Sequence, residues 1–182
     1  MNTPRKVILY IAMSLDGYIA KQNDDISFLS LVEEKAEDYG YAEFVKTVDT
    51  VIWGRKTYDK IISFGIKFPH PDKKVFVLTR TRRPKKANVT FYSDNLQDLI
   101  VRLKSQNGKH IYVDGGAEIV NELMRLNLID EFIISIIPVF LGSGISLFKS
   151  GRPESGLTLI NTTHFKKGLV QLHYVSSAIN DF

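Results

Sequence analysis

The chain has 182 residues, 44% of them hydrophobic and 24% charged, with a formal net charge of +4 and no cysteine. That length and apolar content suit a single domain over residues 1–182 with a sizeable core, and they argue against disorder. The lack of thiols excludes disulfides, thiolate nucleophiles and thiolate metal sites and fits a cytoplasmic protein, no apolar run is long enough to span a bilayer, and residues 1–6 are too short and polar for a signal peptide.

Residues 6–12 form an apolar run that reads as a central strand, broken at Ser14-Leu15-Asp16-Gly17. A strand that leaves the sheet there puts Asp16 at a carboxyl end, where open α/β sheets take ligands. Asp16 is then either a site residue or a turn former. From 28 to 48 the pattern predicts mostly helix, with Leu29, Val32, Ala36, Phe44 and Val48 as apolar positions and a division near Gly40. Asp38 precedes Tyr39-Gly40-Tyr41. It is a solvated cap, or a carboxylate whose aromatic surroundings raise its pKa for acid work.

Residues 50–53 predict a short strand, followed by Gly54-Arg55-Lys56-Thr57 and a helix through Tyr58, Ile61 and Ile62. Two cations at a helix start favour an anion, unless they are simply solvated. Phe68-Pro69-His70-Pro71 is a rigid loop, and residues 74–78 predict a strand ending at Thr79-Arg80. Residues 89–92 predict another strand, and Ser93 or Asp94 is placed to cap the helix carrying Leu96, Leu99, Ile100 and Leu103. A buried strand over 111–113 runs into Gly115-Gly116, and Ile119, Val120, Leu123 and Met124 then recur at helical spacing. Paired glycines admit positive φ and a ligand close to the backbone, and the helix start beyond them suits a phosphate. An ordinary tight turn is the alternative. Residues 131–137 read as a buried strand, with a terminal hairpin formed by 157–165 and 169–175.

The four histidines show no metal spacing. Arg80, Arg82, Arg83, Lys85 and Lys86 concentrate positive charge without any nucleic-acid motif, so small phosphates or solvent are the expected partners and nucleic acid is not. Strands and helices alternate to residue 137, and a hairpin follows. That predicts an α/β sandwich with a mostly parallel central sheet, helices on both faces and an antiparallel C-terminal hairpin. Right-handed crossovers put the three phosphate-friendly strand ends on one rim, as an extended phosphorylated cofactor requires.

Four segments in this order resemble the dihydrofolate reductase superfamily: Ala12-Met13-Ser14-Leu15-Asp16-Gly17, Val51-Ile52-Trp53-Gly54-Arg55-Lys56-Thr57-Tyr58, Tyr112-Val113-Asp114-Gly115-Gly116-Ala117, and Asp130-Glu131 with Pro138-Val139-Phe140-Leu141-Gly142. The likeness covers nearly the whole chain. It is strongest to the reductase domain of the bifunctional riboflavin-pathway deaminase–reductase, the RibD C-terminal group. The resemblance implies the dihydrofolate reductase-like three-layer fold and the cofactor NADPH. Ala12 and Ile19 would line the nicotinamide site, and Gly54, Arg55, Lys56 and Thr57 would hold the diphosphate and 2′-phosphate. Leu78, Thr79 and Arg80 would bracket the adenosine end, and Gly115, Gly116, Ala117 and Glu118 would receive the diphosphate.

By spacing, the family's catalytic acid falls on Asp38, with Asp16 as its rival beside the nicotinamide. Two departures stand out. The tryptophan that usually precedes the acid is absent, and Lys73 stands where dihydrofolate reductases clamp the substrate's glutamate tail with an arginine. A lysine cannot reproduce that planar two-point clamp, which turns the reading from dihydrofolate towards a smaller pterin or an aminouracil ribose-phosphate. The expected activity is NADPH-dependent reduction of a pteridine-like or aminopyrimidine substrate, such as 5-amino-6-(5-phosphoribosylamino)uracil. The residues present would supply only the reductase step, with no metal. A non-catalytic NADP(H)- or nucleotide-binding module is the alternative. A homodimer is expected from the resemblance and from the apolar strands at 131–137 and 169–175, unless these are simply core.

Overall fold

Along the first strand, Val7, Leu9 and Ile11 pack with one hydrophobic cluster while Ile8 and Tyr10 pack with another, so this strand is covered on both faces. That alternation is the period-two geometry of a strand inside a layered sheet. The computed structural model describes residues 4–177, so the signal-peptide reading of residues 1–6 lies partly outside the described residues.

In chain order the elements are β1 (Val7–Ser14), β2 (Tyr18–Ala20), α1 (Tyr41–Lys46), β3 (Val48–Gly54), α2 (Arg55–Ser63), β4 (Lys74–Leu78), β5 (Val89–Tyr92), α3 (Leu96–Lys104), β6 (His110–Gly115), α4 (Ala117–Arg125), β7 (Glu131–Ile137), β8 (Ile145–Ser146), β9 (Gly156–His164) and β10 (Val170–Ser177). Eight of the strands form one sheet in the order β5-β4-β3-β6-β1-β7-β10-β9, while β2 and β8 pair separately. All contacts from β5 to β7 are parallel, and β10 and β9 close the sheet antiparallel. Leu96, Leu99, Ile100 and Leu103 of α3 and Val120, Leu123 and Met124 of α4 cover one face. Phe44 of α1 and Tyr58 of α2 cover the other. This is the predicted α/β sandwich with its antiparallel end.

Two expectations are corrected. Residues 28–48 are not mostly helical: a 3-10 turn over Ser27–Leu31 is followed by irregular chain, and only α1 is an α-helix. Ala36 and Tyr39 have φ of 64° and 60°, and Gly40 has φ of 85°, each incompatible with a continuing right-handed helix. Phe28 and Val32 are apolar because they pack on Ile137 and Leu169, a tertiary contact that happens to mimic helical spacing. The cap of α3 is Asn95, whose side chain accepts from the Asp98 N–H, rather than Ser93 or Asp94. Of the two readings of the 131–137 strand, core is the one seen: β7 lies between β1 and β10, and the sheet edge on that side is β9.

The sheet opens where a ligand needs room. The β1–β6 pairing ends at Leu9 and Val113, whereas β1 stays paired with β7 as far as Ser14 and Ile137. Beyond Leu9 the two central strands part, and a cleft begins between them.

Candidate active site

The cleft encloses about 1350 Å³. Single small-molecule pockets are roughly 300–1,000 Å³, so there is space for a dinucleotide and a second ring. It is built from the carboxyl ends of β1, β3, β4 and β6 and the starts of α2 and α4. Ala12 and Ile19 line it, as do Gly54, Arg55, Lys56 and Thr57 at the β3–α2 turn. So do Leu78, Thr79 and Arg80 after β4, and Gly115, Gly116, Ala117 and Glu118 at the β6–α4 turn. The chain thus brings all the candidate cofactor residues to one groove.

The turns have the local chemistry of an anion cradle. Neither α2 nor α4 has a side-chain N-cap, whereas α3 does. The first N–H groups of the two cleft helices therefore lack intrahelical acceptors and point along positive dipole ends. Gly115 and Gly116 have φ of 121° and 90°. A Cβ on Gly116 would lie 3.2 Å from Thr57 Oγ1 and 3.3 Å from the Gly54 Cα, so backbone is exposed here because no side chain fits. Glu118 is neutralised by Lys149, which donates to it and holds its carboxyl below the usual range, with Lys56 and Arg80 adding to that pull. Arg55 is partly occupied by Asp59, at 2.6 Å. The donor set and the glycine cradle fit a diphosphate-bearing cofactor.

A flap covers part of the groove. Tyr18–Ala20 pairs with Ile145–Ser146, and Ile19, Ala20 and Ile145 all line the cleft. Asp16 joins the two segments: its Oδ1 accepts from Leu141 N at 3.1 Å and its Oδ2 from Gly142 N at 2.7 Å. Desolvation raises its pKa, but these bonds and the Ser14 hydroxyl outweigh it and hold Asp16 below the usual carboxylate range. Asp16 does not line the cleft.

Asp38 is also outside it. Its carboxylate accepts from Gly40 N at 3.0 Å and Ala42 N at 2.9 Å, which lowers its pKa. The geometry is that of an exposed cap on the short α1, and the aromatic surroundings expected to raise its pKa do not enclose it. Lys73, likewise, pairs with Asp72 and does not line the cleft.

The carboxylate that the structure places in the groove, and that sequence reasoning passed over as part of a motif, is Asp114. With its side chain 24% exposed, it is less open than Glu118 or Glu122 at 81% and 42%, and Asp24 and Asp94 are classed as exposed. Trp53 Nε1 donates to its Oδ2 at 2.7 Å and the Tyr112 hydroxyl donates to its Oδ1. Burial, and after it the charge of Asp114, push the Tyr112 phenol well above the ordinary tyrosine value, so it remains a donor. Tyr41 is raised for the same two reasons. Tyr10 stacks on Phe44 at 4.6 Å and lies edge-on to Tyr41 and Tyr112, giving this end an aromatic wall. The available signal was alternation: Tyr112 and Asp114 are two apart on one strand and so share a face. No group of three or more histidines and carboxylates among the described residues could hold a metal, and no helix among them is long and apolar enough to cross a membrane.

The sequence profile described as "RibD C-terminal domain" matches residues 5–171. The chain belongs to the RibD C-terminal domain family. Among relatives, the uncharacterized protein YwjB of Bacillus subtilis (strain 168) is 45% identical over 172 residues, covering 94% of this chain and 98% of YwjB. A candidate riboflavin biosynthesis protein from Shewanella sp. PV-4 superposes with a TM-score of 0.87 at 30% identity, over 94% of this chain and 99% of that one. The diaminohydroxyphosphoribosylaminopyrimidine deaminase/5-amino-6-(5-phosphoribosylamino)uracil reductase of Thermotoga maritima gives 0.71 at 16% identity, over 96% of this chain and 57% of that one. Dihydrofolate reductase from Enterococcus faecalis, complexed with NADP(H), gives 0.66 at 15% identity, over 94% and 96%. The last two likenesses establish the fold: this RibD C-terminal chain has the dihydrofolate reductase-like architecture.

Proposed function

We propose that the protein is an NADPH-dependent reductase of a pteridine-like or aminopyrimidine ring, with 5-amino-6-(5-phosphoribosylamino)uracil as the type of substrate. The observation that carries this reading is the convergence of two uncapped helix starts, Lys56 and Arg80 on one cleft whose inner end holds Asp114 against Tyr112. Lys56 and Arg80 supply the charge that a 2′-phosphate selects, and Gly54 and Gly116 leave backbone open to a diphosphate.

NADPH, when bound, supplies the hydride. The protein's part is to orient and to manage a proton. Ala12 and Ile19 bound the groove where the β1–β6 pairing ends, and Tyr10 and Tyr112 border it. Asp114 accepts from ring N–H groups, and its position favours a proton on the ring nitrogen beside the carbon that is reduced. The roles first expected of Asp38 and Asp16 pass to Asp114 in this reading. A homodimer belongs to it too, with β9 and its exposed Leu159 and Ile160 as the candidate edge, to be decided by light scattering.

Trp53 makes the cofactor test direct. It is the single tryptophan, and it sits between the phosphate turn and Asp114. Titration with NADPH should quench its emission and transfer energy to the nicotinamide at micromolar concentrations, with NADH far weaker. NADPH oxidation should then follow on addition of an aminopyrimidine or pterin. Binding without oxidation across such a panel would favour a non-catalytic nucleotide-binding module, and no binding of either cofactor would remove the reading.

A further inference from the structure

We propose that His70 is a positioning residue for Asp114: it lies in the core behind the carboxylate and, through Nε2, fixes the orientation with which Asp114 meets a ligand. The inference rests on the reading of Asp114 as the ring-binding carboxylate.

His70 is 2% exposed, and neither ring nitrogen has a hydrogen-bond partner among the described residues. Leaving a buried polar group unpaired is destabilising, and an apolar ring would fill the same space without that penalty. The placement is not accidental to a loose loop. Pro69 and Pro71 fix the backbone on either side, and Asn88 Nδ2 donates to the carbonyls of both His70 and Lys73 at 2.7 Å. The imidazole is held 5.5 Å from the Trp53 ring and 6.1 Å from that of Tyr112, centre to centre.

One acceptor is near. Asp114 Oδ2 lies 3.5 Å from His70 Nε2, a little beyond a hydrogen bond. A carboxylate has about four lone-pair directions, and Trp53 and Tyr112 use two, so a third donor can be received. Catalytic hydrogen bonds are often long in a ligand-free site and tighten when it fills. A shift of a few tenths of an ångström would complete this one, with His70 as donor in the tautomer that carries its proton on Nε2. The other ionisable groups facing His70 are Tyr112 from β6 and Asp72 from its own loop, with Tyr41 of α1 acting on Asp114 from the same side. Among the described residues, Asp114 alone lies within ion-pairing distance of His70.

Trp53 reports on this pair without any ligand, because its indole N–H donates to the same Asp114 Oδ2 that His70 Nε2 faces. Exchange of that single indole proton with solvent deuterium, followed by NMR on the full chain, reads how firmly Asp114 is held. His70→Phe should speed it at least about fivefold, and His70→Gln, whose side-chain amide can donate to the carboxylate, should restore it to within about twofold of the wild type. An unchanged exchange rate in His70→Phe, or equal rates in His70→Phe and His70→Gln, would overturn the proposal. Should His70→Phe fail to fold, His70→Leu, which likewise has no donor, takes its place. In turnover, His70→Phe should lower kcat roughly tenfold while leaving KM for NADPH within about threefold, as loss of a supporting partner does elsewhere. Failure of the reductase reading would show as absent turnover in the wild type, while the indole exchange would still report on His70 and Asp114.

Discussion

Gly54 and Gly116 face each other where β3 and β6 end, so close that a Cβ on Gly116 would sit 3.3 Å from the Gly54 Cα. The approach joins two helix starts into one cradle, and the φ of 90° at Gly116 makes any side chain there strained as well as crowded. Gly116→Ala should therefore lower stability by roughly 1–3 kcal/mol and weaken NADPH at least about tenfold. Gly54→Ala should be milder, since φ is −73° and the nearest obstacle is a side-chain carbon of Ile119 at 3.4 Å. Thermal melts and NADPH titrations of the two variants measure the difference, and equal effects would contradict the cradle.

Selectivity for the phosphorylated cofactor should rest more on Arg80 than on Arg55. Arg55 is engaged with Asp59, whereas Arg80 lines the cleft without a protein salt bridge among the described residues. A charge-assisted hydrogen bond contributes about 1.5–3 kcal/mol, so Arg80→Ala should weaken NADPH by roughly 10–100-fold and NADH by less than about threefold. Fluorescence titration with both cofactors reads this out. Equal losses would place the 2′-phosphate elsewhere.

Much of this site was legible because its requirements are local. Gly115-Gly116 encodes positive φ, and the run at 131–137 encodes a doubly covered strand, which is β7 to the residue. The stretch from 28 to 48 misled because Phe28 and Val32 are apolar for contacts with Ile137 and Leu169, not for a helix face. Asp114 escaped notice for a related reason. Its partner Trp53 is 61 residues away, and no periodicity joins a strand-end indole to a carboxylate on the neighbouring strand. His70 read only as part of a rigid loop, because burial is a property of the packed chain.

The three aspartates should separate cleanly in kinetics. Asp114→Asn should reduce kcat by about 100-fold or more with NADPH affinity kept, the usual scale for a positioned acid or base. Asp38→Asn should leave kcat within about threefold and slightly lower the melting temperature, because it weakens only the cap on α1. Asp16→Ala frees the flap at Leu141 and Gly142, so it should act mainly on KM. A large kcat loss in Asp38→Asn would return the acid role to that residue.

Far from the cleft, Glu131 ties β7 to its neighbours on both sides. Its Oε1 accepts from Lys6 at 2.5 Å, next to β1, and its Oε2 lies 3.0 Å from His173 Nε2 on β10. Burial alone would raise its pKa, but the bonds and charges of Lys6 and His173 outweigh that and hold it below the ordinary glutamate value of 4.5. A carboxyl depressed in the folded state contributes stability that is complete above its unfolded pKa and is lost as pH falls through the folded one. The melting temperature of the wild type should thus exceed that of Glu131→Gln at pH 5.5, and the margin should shrink as pH falls below 4.5. A gap that persists undiminished to about pH 3, more than one unit below the ordinary glutamate value, would show that Glu131 stabilises the sheet by packing and not by its charge.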